Sequence, residues 1–205
     1  MDNILKLDEK NLIAQGSERS CYIHPENTQK LIKVIYIKEN DNEQNRVEEI
    51  YMNYLTQKKV DLTHLAKYYG KIKTIHGDAL VYERIMDYDN NPSKSFRYYI
   101  AKELLSLSKQ QELLNELRNY LKKNSILFID TSLTNIFCKK IDKENYKLII
   151  VDGLGAKRLG LKFWLYRHCK VYTKYKISRQ WKKLISMYNK DIKRVKLGVR
   201  PITRV

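Results

Sequence analysis

Glycine, proline and cysteine are all scarce in this chain: seven, three and three among 205 residues. The chain has no Pro/Gly-rich linker, low-complexity tract or internal repeat, so it reads as continuously folded. The cysteines, Cys21, Cys138 and Cys169, are odd in number and far apart. With no CxxC and no histidine at ligand spacing, they suggest neither a disulfide framework nor a zinc site, and a reducing cytoplasm is the simplest setting. Long apolar runs are missing as well. Residues 31–37 and 148–151 are strand-length, far short of the roughly 20 that span a bilayer. Residues 1–9 lack a basic n-region and an apolar h-region, so export is not expected. A chain of this size can bury one core, or divide it between two lobes.

Charge of one sign is abundant, and it is concentrated. Residues 157–205 hold sixteen Lys/Arg against a single acid, Asp191, which places +15 of the total +17 in this tail and leaves the body nearly neutral. Such asymmetry suits an acidic partner: nucleic acid, an anionic membrane or a phosphorylated glycan. A solvated basic face with no dedicated partner is the plainer alternative.

The first third reads as strands at 11–14, 20–24 and 30–37, a helix opening at 41–44 with Val47, Ile50, Tyr51, Tyr54 and Leu55 at helical spacing, and a hairpin of 68–74 with 79–85 turned at His76-Gly77-Asp78. After Pro92 the texture turns helical. Ser95 is placed to cap a helix with Tyr99, Leu104 and Leu107 on one face, and Leu113, Leu114, Leu117, Tyr120 and Leu121 mark a second helix. A polar loop at 130–135 precedes strands at 136–140 and 147–151. The tail carries two helical stripes, Trp164-His168-Val171-Tyr172-Tyr175 and Ile177-Trp181-Leu184-Ile185-Tyr188-Ile192, both expected to face a core.

The chemistry-bearing stretch is Asp130 with Asn135 five positions on, then a hairpin that delivers Asp152. Magnesium takes hard oxygen ligands and keeps waters and substrate phosphates as the rest of its shell, so Asn135 and Asp152 suffice for the protein's share. The remaining carboxylate, Asp130, is free to orient or deprotonate an acceptor hydroxyl. Taken singly, Asp130 could start a turn and Asp152 could cap a helix. Lys33 lies inside an otherwise apolar strand, where an unpaired ammonium is costly and a paired one is expected.

This order of residues resembles the protein-kinase-like superfamily, whose catalytic loop reads D-x-x-x-x-N and whose metal-binding Asp follows the next hairpin. The resemblance implies an α+β, bilobal fold: an antiparallel-sheet N-lobe over 1–86, and a mainly helical C-lobe over 87–205 with the basic tail at 157–205. It implies Asp130 as catalytic base and Asn135 and Asp152 as magnesium ligands. Lys33 would anchor ATP, paired with Glu48, with Glu49 the competing choice; Glu48 is preferred because Leu55, one heptad later, shares its face. Gly16 and Ser17 stand where a glycine-rich loop approaches phosphate, although a plain hairpin turn explains them equally. The backbone of Glu83 and Ile85 stands where adenine would meet the hinge.

Within the superfamily the chain is similar to the bacterial YrbL family, the PhoP regulatory network proteins. The matching segments are Gln15-Gly16 through Cys21-Tyr22-Ile23-His24-Pro25-Glu26, Leu31-Ile32-Lys33-Val34-Ile35-Tyr36, the helix at 46–55, Ser132-Leu133-Thr134-Asn135-Ile136-Phe137-Cys138 and Val151-Asp152-Gly153-Leu154-Gly155. Departures from typical kinases are Phe128 and Ile129 in place of His-Arg, Gly153-Leu154 in place of Phe-Gly, and no A-P-E segment. They argue against a Ser/Thr/Tyr protein kinase more than against phosphoryl transfer.

The expected function is therefore ATP- and magnesium-dependent transfer to a hydroxyl of a small molecule or membrane-associated glycan, in the cytoplasm, with peripheral contact at an anionic inner membrane raised by the tail. Two alternatives stay open: a nucleotide-responsive pseudokinase, and a nucleic-acid-binding protein working through the basic tail.

Overall fold

Three short strands follow the alternation of the first third: β1 (Leu12–Gln15), β2 (Arg19–His24) and β3 (Asn27–Ile35), each antiparallel to the next. The computed structural model describes residues 4–16, 19–35 and 43–200; the expected strand end at 36–37, the helix opening at 41–42 and Ser17 lie outside them. Helix α1 (Glu43–Gln57) comes next, then β4 (Tyr68–Thr74) and β5 (Gly77–Glu83), reversed where Gly77 takes φ 104°, a conformation that costs glycine little. The five strands form one antiparallel sheet in the order β1-β2-β3-β5-β4.

Period-2 alternation gives β3 two different faces. Ile32 and Val34 pack with Leu7 and Ala79 in a buried cluster. Lys33 points to the opposite face, with the buried side of α1, where Val47, Glu48, Tyr51, Met52 and Leu55 lie.

A second set of elements is mainly helical: β6 (Lys94–Ser95), α2 (Phe96–Ala101), α3 (Leu107–Asn124), β7 (Ile136–Lys140), β8 (Tyr146–Ile150), α4 (Leu161–His168) and α5 (Lys170–Lys196). The strands form a small sheet, β6-β7-β8, and the 27-residue α5 runs for about 40 Å. The chain divides into two compact units, residues 1–60, 66–84 and 157–159 in one and 61–65, 85–156 and 160–205 in the other. The fold class is α+β, with an antiparallel-sheet unit carrying α1 and a mainly helical unit.

Two sequence readings need correction. The helix capped by Ser95, whose Oγ accepts from the Tyr98 N–H, ends at Ala101 and does not carry Leu104 and Leu107 on a face with Tyr99. Glu103 adopts φ 51°, and Ser106 starts a new helix by accepting from the Lys109 N–H, so both leucines are left exposed. The second correction concerns the tail. Ile177, Trp181, Leu184 and Tyr188 are buried as expected, but Trp164, Val171 and Tyr175 are exposed. A break at Cys169 (φ −113°, ψ 93°) divides the tail helix, and the inward faces are taken by Phe163 and Tyr166 on α4 and Thr173 and Ile177 on α5. The Thr173 hydroxyl donates to the carbonyls of Tyr166 (2.9 Å) and Cys169 (3.0 Å), which sets the phase of α5.

Cys138 fills the core of the second unit and is fully buried; burial, with Asp87 nearby, pushes its thiol up to about 12, away from nucleophilic use.

Candidate functional site

In the second unit the candidate chemistry is assembled by backbone contacts. Ser132 caps a short 3-10 turn, Leu133–Asn135, by accepting from the Thr134 N–H, and this turn carries Asn135 back over Asp130. The Asn135 amide donates to the Asp130 carboxylate at 2.9 Å and to its carbonyl at 3.2 Å. Behind it, the Val151 N–H donates to the Asn135 carbonyl at 2.9 Å, so the hairpin β7-β8 returns its far end to the same loop. The amides of Ile129 and Asp130 both donate to the Gly153 carbonyl, at 2.8 and 3.1 Å. Asp130, Asn135 and the Asp152-Gly153 pair therefore occupy one corner, and the Asp152 carboxylate accepts from the Gly153 N–H at 2.7 Å.

Gly153 is required by this arrangement. Its φ is 83°, and a Cβ placed there would stand 2.8 Å from both the Cβ and the carbonyl oxygen of Asp130. Gly153→Ala is expected to cost about 2 kcal/mol or more and to displace Asp130, read as a lower urea midpoint. Gly16 is the control. Among the described residues a Cβ there meets nothing nearer than the Arg19 carbonyl at 3.4 Å, so Gly16→Ala should stay within about 0.5 kcal/mol of wild type.

In the first unit, Lys33 Nζ donates to Glu48 Oε1 at 2.9 Å, with both side chains nearly buried. Glu49, the competing choice, is 3.9 Å from Lys71 instead. The other Glu48 oxygen is held by Arg19, whose guanidinium also reaches Asn45 at 3.4 Å. The ring of Tyr82 lies under Lys33 with the ammonium 4.3 Å from its centroid, and burial, then the nearby Glu48, pushes the Tyr82 hydroxyl well above the usual phenol range.

Arg19, Asn45 and Tyr82 were missed in the sequence. The signal for Arg19 is strand register: Cys21 pairs with Lys33 and Arg19 with Ile35, so Arg19 and Lys33 share a face. That register is visible only once the strands are paired.

The other residues expected at a nucleotide site make backbone contacts. The Gly16 N–H donates to the Arg19 carbonyl at 2.8 Å and closes the β1-β2 hairpin. In the first unit the Glu83 N–H donates to the Lys67 carbonyl at 2.8 Å, and in the second the Ile85 carbonyl accepts from the Ser93 N–H at 3.0 Å. Lys33 and Glu48 are thus brought together in one unit, and Asp130, Asn135 and Asp152 in the other. The second group, two carboxylates and a carboxamide, is a set of hard oxygen donors that fits magnesium.

A family model described as PhoP regulatory network protein YrbL matches residues 5–189. The chain belongs to this family. YrbL of Escherichia coli (strain K12) and YrbL of Shigella flexneri are each 27% identical to it over 187 residues, covering 89% of this chain and 87% of theirs. Among solved structures, a crystal structure of Rad53 residues 1–466 in complex with AMP-PNP aligns with 95% of the chain at 13% identity and a TM-score of 0.49; the chain spans about half the length of that structure. The YrbL match extends through α4 and most of α5, so the basic tail lies largely within the family's common length.

Proposed function

We propose that this YrbL-family chain is an ATP- and magnesium-dependent phosphotransferase acting on a hydroxyl of a small molecule or membrane-associated glycan. The observation that carries the reading is the convergence of Asp130, Asn135 and Asp152 on one corner, built by the contacts of Gly153 with Asp130 and of Asn135 with both Asp130 and Val151.

In this reading the Asn135 Oδ1 and the Asp152 carboxylate would hold magnesium, which would supply positive charge to neutralise the phosphates. The Asn135 amide fixes the rotamer of Asp130 through one oxygen, leaving the other to take the acceptor's proton. The acceptor oxygen forms a bond to the γ-phosphorus as the bond to the β-phosphate bridging oxygen breaks, and ADP leaves. Lys33, oriented by Glu48, binds the nucleotide's phosphate oxygens.

Calorimetry with Mg-ATP tests the proposal. The wild-type chain should bind, Asp152→Ala should weaken binding by more than about tenfold, and Asp130→Asn should bind without turning over. No Mg-ATP binding by the wild type would end the reading. Binding with no turnover on any hydroxyl acceptor would favour a nucleotide-responsive module. Two features favour that second reading: the Gly16 N–H is engaged within its own hairpin, and Phe128, standing where kinases have His, forms a bridge with Leu154.

A further inference from the structure

The outward faces of α4 and of the first turns of α5 keep large apolar side chains in water. Leu161 and Trp164 on α4 are 72% and 53% exposed, and Val171 and Tyr175 on α5 are 79% and 59% exposed. Spacings of three and four place each pair on one helix face, and only Cys169 separates the two helices. A cluster of exposed apolar side chains rimmed by charge marks an interaction surface.

Along these two helices the charge has one sign. Residues 160–190 contain nine Lys/Arg and no Asp or Glu. The only acid of residues 157–205, Asp191, is 1% exposed and holds Arg97, so its charge is spent inside. Cations of the two helices are also brought near one another: the Lys176 ammonium is held below its usual range by burial first, then by Arg179, Lys183 and, from α4, Lys162.

We propose that this face docks on an anionic lipid bilayer, with Leu161, Trp164, Val171 and Tyr175 at the boundary between headgroups and acyl chains and the surrounding lysines and arginines over the lipid phosphates. Among the described residues no helix is long and apolar enough to cross a membrane, so the helices lie in the plane of the interface. Tryptophan and tyrosine prefer that level, and each basic residue near an anionic surface adds to the attraction.

A single-stranded nucleic acid fits this face less well. Its two most exposed side chains, Val171 and Leu161, offer no ring for a base to stack on, and one face of the Trp164 indole is covered by His168, with centroids 4.7 Å apart and planes 17° apart. The docking surface lies wholly in the second unit and is independent of the phosphotransfer reading.

Vesicle co-sedimentation of the full chain tests the proposal, with tryptophan emission as a second readout. Trp181 is buried, so a blue shift on vesicles reports Trp164. On vesicles of phosphatidylcholine with about 30% phosphatidylserine, binding should be at least about tenfold tighter than on phosphatidylcholine alone, and should weaken several-fold between about 0.1 and 0.5 M salt. The double variant Leu161→Ser/Trp164→Ser should bind at least about tenfold more weakly with an unchanged circular dichroism melt, because both side chains are already in water. Equal sedimentation of variant and wild type would overturn the proposal. So would tighter binding to a single-stranded oligonucleotide than to the anionic vesicles at the same salt.

Discussion

Asp191→Ala is expected to lower the stability of the second unit by about 3–5 kcal/mol, the loss associated with removing one partner of a buried ion pair. Arg97 Nε donates to Asp191 Oδ2 at 2.6 Å, and both side chains are 2% exposed. The pair joins α2 to the C-terminal part of α5, beside the stacked rings of Phe96 and Tyr188 and the hydrogen bond from the Tyr188 hydroxyl to Gln110. Without the carboxylate, a guanidinium remains in a site with little water, and its Nη1 has no hydrogen-bond partner among the described residues even with Asp191 in place. Most of the predicted loss is therefore the penalty of an unpaired buried charge. The double replacement Arg97→Met/Asp191→Leu removes both charges and should recover most of the stability. Hydrogen exchange in α2 and α5 measures the effect where it arises. A single variant within about 1 kcal/mol of wild type would show that the pair contributes little.

Glu48→Gln should destabilise the first unit by a similar amount, about 3 kcal/mol, because one carboxylate there serves two cations. Lys33 takes one of its oxygens and Arg19 the other, and all three side chains are about 5–7% exposed. Glutamine preserves the volume but leaves two neighbouring buried cations facing a neutral amide, so their mutual repulsion adds to the lost pairing. Lys33→Met tests which consequence is structural. It removes one cation and leaves the Arg19–Glu48 pair, so it should cost less stability than Glu48→Gln while weakening Mg-ATP binding if Lys33 holds phosphate. A Glu48→Gln chain with an unchanged urea midpoint would rule out the shared-carboxylate account.

Much of the architecture follows from local patterns. Alternation and turns locate the strands to within a few residues, and Ser95 caps its helix as expected. Asp130 and Asn135 lie close in the chain, and a tight turn capped by Ser132 is enough to join them. The choice of Glu48 over Glu49 follows from helical phase, since Leu55 marks the inward face.

What local patterns could not supply depends on pairing between distant segments. Arg19 enters the Lys33–Glu48 cluster only because β2 pairs with β3 in one register, which no property of its neighbours specifies. The tail is a clearer case. Its two stripes have the same helical spacing, and periodicity alone assigned both to a core. One is buried and the other faces water, because Cys169 breaks the helix and Phe163, Tyr166 and Thr173 take the inward positions.

The sequence by itself determined which side chains could carry chemistry, how the elements follow one another, and where positive charge collects. Only the tertiary structure decided which oxygen each cation meets, which apolar stripe is left outside, and that the tail's one acid is buried against Arg97. Periodicity identifies an apolar helix face, but the surface that covers that face belongs to residues distant in the chain.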